Sequence, residues 1–101
     1  GWEILSHRCR TPHGEIDLIA RQGPQLMIAE VKARATLAAG LEAITPRQQK
    51  RLAAAAAWYL AMHPAHAQCE IRLDAIVVLP GGRIHHTEHA WTCDWPAAPS
   101  F

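Results

Sequence analysis

The stretch from Gly14 to Lys32 constrains this chain most. It reads Gly-Glu-Ile-Asp-Leu-Ile-Ala-Arg, then Gln-Gly-Pro, then Gln-Leu-Met-Ile-Ala-Glu-Val-Lys. Two apolar runs on either side of a Gly-Pro pair predict a β-hairpin. Side chains two apart on a strand share a face. Glu30 and Lys32 therefore emerge together from the second strand, and Glu15 and Asp17 from the first. Loop parity decides whether the two pairs meet. An even loop, Gly23-Pro24 or residues 22–25, sets Asp17 opposite Glu30 and Glu15 opposite Lys32. An odd loop or a bulge separates them.

In the even register, carboxylates and one lysine crowd a single patch. Two carboxylates about 4 Å apart repel by roughly 4 kcal/mol at an effective dielectric near 20. Lys32 offsets part of that repulsion. A divalent cation offsets more, and carboxylate oxygens are the ligands that Mg²⁺ takes.

The remaining chain supplies the frame. Residues 2–8 alternate loosely and predict a first strand, followed by a turn at residues 11–14. Residues 35–44 carry no decisive pattern: the alanines allow a short helical turn, and Gly40 interrupts it. Glu42 in this segment reads as solvated. Thr45 suits a helix N-cap, Pro46 the first helical position, and Gln48 a capping box. That helix is expected to run to about Met62, ended by His63-Pro64, with Leu52, Ala56, Tyr59 and His63 on one stripe toward the sheet. Residues 70–79 form the most apolar strand candidate, residues 80–82 a tight turn, and residues 83–87 an edge strand. Asp74 reads as a structural pairing or capping group. Domain limits fall at 1–91 for one domain and 92–101 for a tail, with Trp95 and Phe101 as docking residues. The fold expected is a mixed α/β sheet, with the third and fourth strands parallel across the helix in a right-handed crossing.

Charge is near neutral overall, at +1, but unevenly spread: residues 1–51 hold eight of the ten Lys/Arg and five of the nine Asp/Glu. Three of those five acids lie in the hairpin, so the rest of this half is a basic surface suited to phosphates. Arg34, Arg47, Lys50 and Arg51 border the patch, and Gln48 and Gln49 join them at a helix N-terminus, where free N–H groups favour anions. Three cysteines, widely spaced, predict free thiols in a reducing cytoplasm. No apolar run reaches membrane-spanning length. The groups His63, His66, Cys69 and His85, His86, His89, Cys93 do not match the paired-ligand spacings of zinc modules.

Asp17 followed by Glu30-Val31-Lys32 resembles the Asp…(Asp/Glu)-x-Lys signature of the restriction-endonuclease-like nucleases. The flanking words Gly-Glu-Ile-Asp-Leu-Ile-Ala and Glu-Val-Lys-x-Arg are similar to those of the bacterial YraN-like family, itself considered similar to archaeal Holliday junction resolvases. Arg72-Leu73-Asp74 and the run from Ile84 to Trp91 resemble that family's later words. Gln49 matches its glutamine, and Gln48 stands where its pattern usually has a lysine.

The resemblance implies a restriction-endonuclease-like mixed sheet flanked by helices, with the family's N-terminal helix missing before Gly1. It implies Mg²⁺- or Mn²⁺-dependent phosphodiester hydrolysis on nucleic acid, DNA rather than RNA, by a homodimer. Asp17, Glu30 and the Val31 carbonyl would hold the metal. Lys32 would assist the water or the developing charge, Glu15 would be an additional ligand, and Arg34 would reach the scissile phosphate. The alternative is a non-catalytic module that keeps the scaffold and binds nucleic acid or protein.

Overall fold

A computed structural model describes residues 1–91; the expected tail, with Cys93, Trp95 and Phe101, lies outside the described residues. Five strands form one sheet in chain order. They are β1 (Glu3–Thr11), β2 (Gly14–Gln22), β3 (Gln25–Ala33), β4 (Glu70–Val78) and β5 (Ile84–Thr87). Helix α1 (Leu37–Glu42) and helix α2 (Pro46–Met62) lie between β3 and β4.

The first three strands are antiparallel neighbours, β3 and β4 run parallel, and β5 returns antiparallel to β4. This is the mixed α/β sheet with flanking helices of the restriction-endonuclease-like class, with the parallel pair where the crossing helix predicts it. β1 runs to Thr11, longer than expected, because the turn into β2 is tight and leaves Thr11 paired with Gly14.

Helix α2 begins as its sequence dictates. The Thr45 hydroxyl accepts the Gln48 N–H at 3.2 Å, and Pro46 occupies the first turn. Leu52, Ala56 and Tyr59 are buried on one stripe. They meet Ile16, Ile19, Leu26, Ile28 and Leu73 in the main core. Fully burying a side chain such as Leu52 contributes about 1.5–3 kcal/mol. Two-residue alternation carries Met27, Ala29 and Ala20 to the opposite face of the sheet, where they pack with Trp2, Leu18 and Ile76.

Residues 35–44, left unassigned from sequence, contain α1. Thr36 caps it by accepting the Ala39 N–H at 3.1 Å. Gly40 does not break this helix. It is buried, and a Cβ there would stand 2.5 Å from Val77 Cγ1 and 2.6 Å from Cγ2. Glycine is present because α1 presses against β4 closely enough to leave no room for a side chain.

Asp74, expected to be structural, is fully buried on the face opposite α2. Arg72 donates to it from Nε and Nη2, the latter at 2.8 Å, and the His86 ring joins it at 2.6 Å from β5. The backbone N–H of His89 adds a further bond at 3.2 Å. Burial alone would raise this carboxyl's pKa; the Arg72, His86 and His89 hydrogen bonds and the Arg72 charge outweigh it and hold it below the usual value. Trp2 covers the Arg72 guanidinium, 4.8 Å from ring centroid to Cζ.

Candidate functional site

The hairpin loop is the two residues Gly23 and Pro24, the even case. The paired register runs from Gln22–Gln25 to Leu18–Ala29. Beyond that pair the two strands part, while β3 stays paired with β4 as far as Ala33–Val78. At the point of parting, the Asp17 carboxylate accepts the Val31 N–H at 2.8 Å. A side chain thus takes the place of a strand carbonyl and fixes Asp17 beside the Glu30–Lys32 segment.

Glu30 is buried at 7% exposure on the face that packs against α2. Lys32 Nζ lies 3.4 Å from its Oε1, and Arg51 Nη2 lies 3.6 Å from its Oε2. Burial raises the Glu30 pKa and the Asp17 charge raises it further. Lys32 and Arg51 oppose the rise without cancelling it. The site therefore holds two interacting carboxylates, and burial keeps the ionised form of Glu30 disfavoured despite two cations close to it. That donor set suits Mg²⁺ or Mn²⁺: such ions bind through one or two carboxylates and keep several waters. No group of three or more His, Cys, Asp or Glu side chains is placed to hold a metal among the described residues. Asp17 and Glu30 are the two carboxylates that could hold a cation here, and backbone and water oxygens would have to complete its shell.

The other residues marked from sequence are placed as follows. Glu15 is exposed and pairs with Arg10 on β1; the β2–β3 pairing ends before it, so no register sets it against Lys32. Arg51 turns inward. Its Nη1 donates to the carbonyls of His13 at 3.3 Å and Glu15 at 3.1 Å while Nη2 meets Glu30. Gly14, at φ +105°, makes room for this: a Cβ there would stand 2.5 Å from Arg51 Nη1. Arg51 ties the second turn of α2 to the β1–β2 turn and to the Glu30 carboxylate at once.

Arg34 lies one residue past β3, exposed, with Nη1 on the Ala33 carbonyl at 2.8 Å. Arg47 and Lys50 are exposed at the start of α2. Gln49 Nε2 donates to the Ile44 carbonyl at 3.0 Å, holding the turn before the helix. Gln48 Oε1 is buried without a hydrogen-bond partner, so the side-chain half of the expected capping box is not made. Among the histidines, His66 meets Arg21 Nη1 at 2.9 Å, His63 stacks on Tyr59, and His86 serves Asp74.

Two residues near Asp17 were missed from sequence. His7 and Arg8 line a shallow pocket with Asp17 and Val31. The pairs His7–Leu18 and Cys9–Ile16 bracket Arg8 and set it abreast of Asp17. The signal was available: counting back through the two-residue turn at Pro12-His13 gives this register.

The fold and the Asp17, Glu30, Lys32 patch thus define a small mixed α/β domain with an acidic pair and a lysine where its hairpin strands part. Residues 1–78 match the family model for "Uncharacterised protein family UPF0102", and the chain belongs to that family, the YraN-like group of the resemblance. A UPF0102 protein of Bradyrhizobium diazoefficiens is 49% identical over 86 residues, 85% of this chain and 65% of its own length. One from Bradyrhizobium sp. (strain ORS 278) is 52% identical over 86 residues, 85% of this chain and 61% of its own. One from Granulibacter bethesdensis is 44% identical over 99 residues, 95% of this chain and 63% of its own. The chain spans somewhat less than two thirds of the length of these relatives.

No helix of the described residues is long and apolar enough to cross a membrane.

Proposed function

We propose that this domain is a metal-dependent nuclease acting on DNA, with branched or junction DNA as the substrate suggested by the resemblance to resolvases. The observation that carries the reading is the Asp17–Glu30 pair. The Asp17 carboxylate is held by the Val31 amide, Glu30 is buried beside it with a raised pKa, and Lys32 contacts Glu30 from the same strand. A buried glutamate whose ionised form is disfavoured, with a second carboxylate next to it, gains from a bound cation.

Asp17 and Glu30 would hold Mg²⁺ or Mn²⁺, with the Val31 carbonyl as a further oxygen. A cation held there lowers the pKa of water and stabilises charge on the phosphate oxygens. Lys32 places an ammonium beside the acids, where it orients the attacking water and stabilises negative charge as it develops. Arg51 fixes the rotamer of Glu30 rather than reaching substrate. Arg34, Arg47 and Lys50, exposed in the same half of the chain, are the candidates for backbone phosphates.

The test is a nuclease assay on four-way-junction and linear DNA, with Mg²⁺, with Mn²⁺ and with chelator. It compares the full chain with Asp17→Asn and Lys32→Ala. Each substitution is expected to lower turnover by at least ~10²-fold, and chelator to abolish it. Hydrolysis that survives both substitutions, or an absence of hydrolysis in either metal, overturns the nuclease reading.

A further inference from the structure

We propose that Arg8, with His7 beside it, forms a subsite for a nucleic-acid phosphodiester abutting Asp17. The inference rests on the nuclease reading and adds to it the group that receives the phosphate.

Three observations carry it. First, His7, Arg8, Asp17 and Val31 line one pocket, so a phosphate approaching Asp17 from that pocket passes Arg8. Second, Arg8 adopts φ +50° within the nine-residue strand β1. A non-glycine residue there costs on the order of 1–3 kcal/mol, and such strain gathers where a side chain must be aimed. Third, Arg8 makes no hydrogen bond or ion pair among the described residues. Arg21, Arg51 and Arg72 are committed to carbonyls, carboxylates or both. Arg10, Arg47 and Arg83 are also without such a bond among the described residues, and Arg8 is the one of these that lines the pocket with Asp17. Arg8 is abreast of Asp17 and yet forms no ion pair with it, so its guanidinium is left for an external anion.

The chemistry fits that use. A guanidinium meets two phosphate oxygens with two parallel N–H donors, which fixes orientation as well as charge. The carboxylates next to it repel a phosphate, and a neighbouring cation on the protein is needed to hold the substrate against them. Lys32 and Arg51 are already drawn to Glu30. Arg8 is placed for the remaining task, and the exposed His7 ring adds a hydrogen-bonding edge to the same pocket.

The experiment measures binding of fluorescently labelled four-way-junction and linear duplex DNA to the full chain in chelator, where no metal assists and no hydrolysis occurs. Wild type, Arg8→Gln, Arg8→Lys and Arg8→Gly are titrated between roughly 50 and 200 mM salt. Arg8→Gln is expected to weaken binding about tenfold and to reduce the salt slope by about 0.9, the value of one phosphate contact on duplex DNA. Arg8→Lys should recover most of the slope. Arg8→Gly relieves the backbone, so it should melt at or above the wild-type temperature and still bind as weakly as Arg8→Gln, which separates a lost contact from a lost fold. Wild-type affinity and slope in both Gln and Gly variants overturn the subsite alone. A wild-type chain that binds neither DNA at the lowest salt overturns the nucleic-acid reading and the subsite with it.

Discussion

Glu30 shows how burial and a neighbouring charge set the titration of a single carboxyl. Its carboxyl is pushed above its ordinary value of 4.5 by burial first and by Asp17 second, and the contacts to Lys32 and Arg51 do not restore it. The sign of the linkage follows. Below pH 4.5 the group is protonated in both folded and unfolded chains and costs nothing. As pH rises, the unfolded chain ionises first, so stability falls through the folded-state pKa and stays reduced above it. Glu30→Gln escapes this loss. Its melting temperature is expected to equal that of wild type below pH 4.5 and to exceed it at neutral pH in chelator, as read by thermal scans at several pH values. Adding Mg²⁺ should then stabilise wild type by mass action and leave the Gln variant unmoved. A Gln variant less stable than wild type at neutral pH would mean that Glu30 is a structural anion for Lys32 and Arg51.

At the scale of elements, α1 and α2 make opposite points about legibility. Helix α2 was readable because its signals are local: Thr45 caps, Pro46 opens and His63-Pro64 closes, and the stripe of Leu52, Ala56 and Tyr59 repeats at helical spacing. Helix α1 was not, because Gly40 reads locally as a breaker while its purpose is the non-local contact with Val77. The site divides the same way. Glu30 and Lys32 share a face by strand alternation alone. The approach of Asp17 hung on loop parity, which Gly23-Pro24 leaves open until the strands are seen to pair. Arg51 lies in a run of cations and reads as surface. Only the fold brings the carbonyls of His13 and Glu15 to it.

Gly40→Ala tests the packing argument. Alanine gains about 1 kcal/mol of helix propensity over glycine. Its Cβ nevertheless meets a buried, stiff valine, and overpacking of this kind costs typically 1–3 kcal/mol, about the range expected here. Urea unfolding should show that loss, and Val77→Ala in the same chain should recover part of it. A Gly40→Ala chain as stable as wild type would refute the close approach of α1 to β4.

Across the whole molecule, the sheet separates the candidate site from a network that holds the frame. Val77 shares the face of Leu73 by alternation, so α1 and α2 both lie on the side that carries Glu30 and Lys32. The opposite side is fastened by Arg72, Asp74 and His86, which join β4 to the short edge strand β5. Asp74 accepts bonds from Arg72, His86 and the His89 N–H with no exposure to solvent. Removing its charge leaves the nearly buried Arg72 without its main partner, and breaking a buried pair costs about 3–5 kcal/mol. Asp74→Asn is therefore expected to unfold at much lower urea than wild type. Because the folded-state pKa of Asp74 lies below its ordinary value of 3.8, its contribution is complete above that value and is lost as pH falls through the folded pKa. The stability gap between wild type and Asp74→Asn should thus be constant near neutral pH and close in acid. DNA binding by the fraction of Asp74→Asn that remains folded should match wild type at equal salt, since this network lies across the sheet from Glu30 and Lys32. A variant of normal stability but weakened binding would move Asp74 from the frame into the site.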